Sequence, residues 1–94
     1  MISKEEAINI AIKYLKEEST TYDLALLTEH TIEFELGWVF FYQSRKYIES
    51  GDYRDMLGGN APFIVNKNDG SIHVTGTSYR IEKYIEDYLN AHGG

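Results

Sequence analysis

The sequence lacks cysteine entirely and contains a single proline. Without cysteine there can be no disulfide framework, no thiolate nucleophile and no cysteine-based zinc site. The sequence also lacks any apolar run near the roughly 18 residues that a membrane span needs. Its N-terminus carries acidic residues where a signal peptide has a basic start followed by an apolar run. These absences predict a cytoplasmic protein that does not cross a membrane.

Basic residues are scarce, with nine Lys and Arg against fifteen Asp and Glu, which gives a formal net charge of −6. A chain of this sign is repelled by phosphate backbones and by anionic lipid. We therefore expect neither nucleic acid nor a membrane surface as a partner. A basic protein surface suits the charge better, although acidity also serves solubility alone.

The 94 residues are enough for one hydrophobic core, and 43% of them are hydrophobic. We therefore expect a single domain over residues 1–94. Ser3 and Glu6 form a capping box, which predicts a first helix from Lys4, followed by a polar break at residues 19–21. Ser78 is a candidate N-cap for a second amphipathic helix, which frays at the glycines 93–94.

Between the two predicted helices the pattern is that of strands. Alternation from Leu24 to Leu36 predicts one long strand with one wet face. Residues 38–44 are apolar on both faces, which indicates a central strand or a partner contact. Pro62 opens a third strand, and the Asp69-Gly70 turn leads into a fourth strand at residues 71–75. The predicted fold is α+β, in the order α-β-β-β-β-α, with a four-stranded, mainly antiparallel sheet and both helices packed on one face.

Residues that could carry chemistry do not form a recognisable constellation. His30, His73 and His92 lack the spacing of a metal site, and Gly58-Gly59-Asn60 lacks the Lys-Ser/Thr pair of a phosphate-binding loop. We predict no catalytic residues, no metal and no cofactor. An enzyme that uses Asp52 or His73 is a minor alternative.

Two segments are candidates for contact with another protein. The aromatic run around Trp38 is either core or interface, and Trp38 itself is expected to serve folding. The glycine-containing segment at residues 49–61 reads as a loop around a short helical turn. It either binds a partner or covers one end of the core with Met56 and Leu57 tucked in. The partner-binding candidates are Asp52, Tyr53, Asp55, Met56 and Asn60.

Five stretches appear together in an order and spacing that resembles the immunity protein 35 family, which includes YrhB-like bacterial proteins. They are residues 37–44 (GWVFFYQS), 47–52 (YIESGD), 57–65 (LGGNAPFIV), 69–77 (DGSIHVTGT) and 81–85 (IEKYI). Together with the first helix they cover nearly the whole chain. One departure is Arg80, where the family often has proline.

The resemblance implies a small α+β immunity protein that binds and neutralises a cognate toxin, whose effector domain is often papain-like. It does not identify the interface residues. The alternative is a small chaperone-like housekeeping protein of the YrhB type.

Overall fold

The computed structural model describes residues 1–18 and 23–92, so the predicted polar break at residues 19–21 and the glycine tail at 93–94 lie outside the described residues. The predicted α+β class is confirmed, with helices at both ends and antiparallel sheets between them. In the part described, no helix is both long enough and apolar enough to cross a membrane. The elements are α1 (Lys4–Glu18), β1 (Leu24–Leu26), a 3₁₀ turn (Thr28–His30), β2 (Ile32–Phe34), β3 (Gly37–Phe40), β4 (Tyr42–Ser44), α2 (Arg45–Ser50), a second 3₁₀ turn (Tyr53–Asp55), β5 (Phe63–Asn66), β6 (Ile72–Val74) and α3 (Ile81–His92).

Helix α1 begins where the capping box predicts. The Ser3 hydroxyl accepts a hydrogen bond from the Glu6 amide at 3.1 Å, and the Glu6 carboxylate accepts one from the Ser3 amide at 3.3 Å. The helix buries one narrow row at a spacing of four residues, which turns this row toward the sheet. The row consists of Ala7, Ala11 and Leu15.

The long strand predicted over residues 24–36 is wrong, because a 3₁₀ turn divides it. Leu26 pairs with Tyr42, whereas Ile32 pairs with Val39. Between these two pairs, the five residues 27–31 lie opposite only the two residues 40–41. The 3₁₀ turn takes up this difference. The two ladders thus form one interrupted hairpin, and they belong to separate sheets of two and four strands. The apolar residues on the two sides of the turn keep the same alternation, at positions 24, 26, 32, 34 and 36, so the sequence pattern did not show the interruption.

The larger sheet has the order β2-β3-β5-β6, and every neighbouring pair in it is antiparallel. All four residues of β3 and all four of β5 are buried. The expected central position is therefore confirmed for β3. The single strand predicted over residues 38–44 is wrong, because the chain leaves the larger sheet at Phe41 and continues as β4 in the two-stranded sheet. Gly37 at its start has a steric reason, since a Cβ there would collide with the carbonyl of Val65 on β5.

The two terminal helices lie on opposite faces of this sheet, so the expectation that they share one face is wrong. Trp38 and Phe40 point to the α1 side, whereas Val39 between them packs with Tyr88 of α3. Strand β5 divides its residues in the same way, with Phe63 and Val65 toward α1 and Ile64 toward α3. Strands that are apolar at successive positions must be covered on both faces of the sheet, and here one helix covers each face.

The end of the chain follows the prediction in part. Gly70 has a φ of 71°, which confirms the tight turn at Asp69-Gly70. The last helix begins at Ile81, so the predicted cap at Ser78 is wrong. The Ser78 amide instead donates to the Tyr84 hydroxyl at 3.1 Å, and this bond fastens the connection between β6 and α3 to the helix.

Candidate protein-binding segment

The candidate site lies in residues 45–60, which we call the braced segment. It contains helix α2, which the sequence prediction did not include. The Ser44 hydroxyl caps this helix by accepting from the Tyr47 amide at 3.0 Å, and Gly51, with a φ of 69°, ends it. A serine followed seven residues later by glycine is the available sequence signal for such a short helix.

Asp52 is used inside the segment. Its carboxylate accepts from the Arg54 amide at 3.0 Å and from the Arg54 guanidinium at distances between 2.6 and 3.1 Å. These hydrogen bonds hold the pKa of Asp52 below its ordinary value. Asp52 therefore caps the second 3₁₀ turn, and its charge has a local counterion.

Asp55 is also used inside the segment. Its carboxylate accepts from the Ser50 hydroxyl at 2.9 Å and lies 3.5 Å from the Lys46 ammonium. Its backbone carbonyl accepts from the Ser44 hydroxyl at 2.7 Å. Both candidate acids thus have structural roles that do not depend on a partner.

Two amides tie the far end of the segment to β4. The buried Gln43 accepts from the Leu57 amide at 2.7 Å and donates to the Leu57 carbonyl at 3.2 Å. Asn60 donates to the Tyr42 carbonyl at 2.6 Å. Sequence reasoning included Asn60 among the candidates but missed Gln43, because its partner lies 14 residues away. The segment is therefore held on both sides by hydrogen bonds.

The other two candidates, Tyr53 and Met56, face solvent. Tyr53 is 78% exposed and Met56 is 50% exposed, and Ile48 on α2 is another exposed apolar side chain nearby in the sequence. Leu57 is partly buried. The alternative expectation was that Met56 and Leu57 both pack into the core. Of the two, only Leu57 is partly buried, whereas Met56 is exposed. The segment presents an aromatic ring and a thioether on a fixed backbone.

The structure places His73 on a strand, as the sequence predicts, but it differs from the prediction at His30. His30 lies in a 3₁₀ turn, not in a strand. His73 and His92 approach each other, with ring centroids 5.3 Å apart, and Tyr88 packs against both rings. This approach was not predictable from the sequence, because it brings β6 next to the last turn of α3. Within residues 1–18 and 23–92, no group of three or more His, Asp or Glu side chains could hold a metal ion.

The fold and the braced segment define a small α+β protein with an exposed, internally hydrogen-bonded loop region. The chain belongs to the immunity protein 35 family, whose sequence model matches residues 5–87, and the resemblance noted in the sequence is confirmed. It is also 38% identical over 88 residues to the uncharacterized protein YrhB of Escherichia coli strain K12. That alignment covers 94% of this chain and 89% of the relative. No solved structure matches the chain.

Proposed function

We propose that this protein is a bacterial immunity protein that binds a cognate toxin and neutralises it by stoichiometric binding, without chemistry of its own. The observation that carries the proposal is the family match over residues 5–87, which includes most of both terminal helices and all the strands. We further propose a toxin with a papain-like peptidase domain, the effector class that the resemblance implies, and a cytoplasmic site of action.

The braced segment is the surface that we propose for this contact. Of the five candidates, Tyr53 and Met56 would touch the toxin, while Asp52, Asp55 and Asn60 would hold the segment in shape. Tyrosine and other large side chains at a prearranged surface account for much of the affinity of many protein complexes. Since hydrogen bonds already order the segment, binding would lose little conformational entropy there.

Co-expression with the cognate toxin tests the proposal. Wild-type protein is expected to restore growth and to form a stoichiometric complex with the purified toxin. Tyr53→Ala should weaken the complex by about 10-fold or more, the range of an aromatic interface residue. Tyr79→Ala is the matched control, because Tyr79 is 66% exposed but lies outside the braced segment, between β6 and α3.

Equal effects of the two tyrosine variants would remove the braced segment from the interface. Failure of wild-type protein to bind the toxin would contradict the immunity function itself. If that protein instead prevented aggregation of unrelated unfolding proteins, the chaperone-like alternative would take its place.

A further inference from the structure

The two outer strands of the larger sheet, β2 and β6, differ in charge. Strand β2 carries the exposed Glu33, and the exposed Glu35 follows it. Residues 70–79 (GSIHVTGTSY), which contain β6, have no Asp, Glu, Lys or Arg, although 26% of the whole chain is charged. Proteins commonly place charges or proline on an outer strand, because its unpaired backbone groups otherwise pair with another chain. Strand β6 lacks this protection.

Two residues of β6 turn their backbone polar groups away from the sheet. The Ser71 carbonyl and the Thr75 amide, at the two ends of β6, bond to the β5 side at 2.9 and 3.0 Å, and His73 pairs with β5 between them. Because residues of an antiparallel strand alternate in this respect, the amides and carbonyls of Ile72 and Val74 point to the outer side. Within the described part of the chain, no hydrogen bond engages them there.

We propose that β6 pairs with β6 of a second copy of this chain, so that the two four-stranded sheets join into one. Ile72 and Val74 lie on either side of His73, so a two-fold axis beside His73 sets Ile72 opposite Val74 of the second copy, and the reverse. Each such pair exchanges an amide and a carbonyl bond in both directions. Val74, which is 60% exposed, is then covered by an isoleucine on the α1 face, where Ile72 already packs.

Charge favours a second copy as the occupant of this strand. Two chains of −6 repel each other, so they associate most readily where the residues that meet are uncharged. In the proposed register, residues 70–76 face the same uncharged residues of the second copy. The same arrangement through β2 would set Glu33 opposite Glu33 of the second copy, and like charges directly opposite each other are destabilising. A basic partner, in turn, would find no acidic side chain in residues 70–79 to attract it.

Sedimentation velocity of the full chain tests the inference. A contact through one short strand is small, so we expect a reversible dimer with a Kd on the order of 10 to 100 μM. The mass should rise from the 10.8 kDa of one chain toward twice that value as the concentration increases. Val74→Lys should raise the Kd by about 10-fold or more, since it adds a charge to the contact. Ile48→Lys is the matched control, because it adds the same charge at a 44% exposed apolar side chain on α2.

Val74→Pro tests the backbone contact separately. It removes an outward amide and leaves the bonds to β5 in place, which is the position where an outer strand tolerates proline. Its circular dichroism spectrum should match that of the wild type, while the dimer Kd rises as in Val74→Lys. In the wild type, hydrogen exchange of the Ile72 and Val74 amides should slow when the dimer forms. The His73 amide, which faces β5, should exchange slowly in both states.

Two results would overturn the inference. One is a chain that stays monomeric at about 1 mM; if Val74→Lys then weakened binding to the cognate toxin, the toxin would be the occupant of β6. The other is a dimer whose Kd is the same in the wild type and in normally folded Val74→Lys and Val74→Pro, because the contact would then lie elsewhere. Neither result contradicts the immunity function, since self-association is measured without the toxin.

Discussion

Trp38 is a core residue that lies beside an ion pair. Its side chain is 3% exposed and packs on the α1 face, which makes it a core residue. Glu33 is its cross-strand neighbour, and the Lys67 ammonium lies 3.0 Å from the Glu33 carboxylate and 5.3 Å from the centre of the indole. The buried indole NH has no hydrogen-bond partner at bonding distance among the described residues.

The Glu33–Lys67 pair makes stability depend on pH in a definite direction. The hydrogen bond and charge of Lys67 lower the pKa of Glu33 below its ordinary value. A carboxylate with a lowered folded pKa stabilises the protein above its unfolded pKa, about 4.3, and this contribution disappears as the pH falls through the folded pKa. Glu33→Gln should therefore be less stable than the wild type at pH 7, with a smaller difference near pH 3, as measured by urea unfolding.

Glu29→Gln is the control for this prediction, because Glu29 is exposed in the first 3₁₀ turn and makes no ion pair with a described residue. Its stability relative to the wild type should change little between the two pH values. A Glu33→Gln difference that stayed constant from pH 7 to pH 3 would show that the ion pair contributes nothing to the folded state.

At the scale of elements, short sequence motifs correctly predicted a helix start and a turn. The capping box of Ser3 and Glu6 gave the start of α1, and Asp69-Gly70 gave the turn before β6, because each depends on residues that are near in sequence. The 3₁₀ turn that interrupts the first hairpin was not predictable, since it is visible only as a change in strand register between the pair Leu26–Tyr42 and the pair Ile32–Val39. The placement of α3 opposite α1 was likewise decided by packing across β3 and β5 rather than by either helix pattern.

The candidate site was predictable in the same uneven way. Glycine and polar content indicated an exposed segment, and Tyr53 and Met56 are exposed. Composition does not show partners, so it could not tell that Arg54 and Lys46 would engage the two aspartates. Nor could it show that Gln43 holds the segment from β4, because this contact depends on the folded hairpin.

Gln43 should control the order of the whole braced segment. Gln43→Leu keeps a buried side chain of comparable size but leaves the Leu57 amide and carbonyl without the partners they have now. Lost buried hydrogen bonds of this kind cost about 1 to 3 kcal/mol. Hydrogen exchange should accelerate in residues 52–60 more than in β3 or β5. Asn60→Ala, which removes one bond to the Tyr42 carbonyl, should have a smaller effect, and equal exchange in the wild type and Gln43→Leu would contradict the bracing role.

At the scale of the whole molecule, one sheet serves two core clusters. The residues under α1 and those under α3 alternate along β3 and β5, so the two helices share these strands, and α1 also packs against Leu24, Leu26 and Tyr42 of the two-stranded sheet. We infer that the loss of either helix exposes apolar residues of β3 and β5 and removes the support of the other. The chain should therefore unfold as a single cooperative domain, although its two clusters have no buried residue in common.

Tyr88→Phe tests this coupling from the α3 side. The Tyr88 hydroxyl accepts a hydrogen bond from the side-chain amide of the buried Asn66 at 2.8 Å, so the variant should lose about 1 to 3 kcal/mol of stability. Trp38 lies on the opposite face, and its fluorescence reports the α1 cluster, whereas far-UV circular dichroism reports the helices. Both signals should move to the same lower urea midpoint, as they should for Leu15→Ala on the α1 side. If circular dichroism shifted while Trp38 fluorescence kept the wild-type midpoint, α3 would unfold on its own, and the inference that the shared strands couple the two clusters would be wrong.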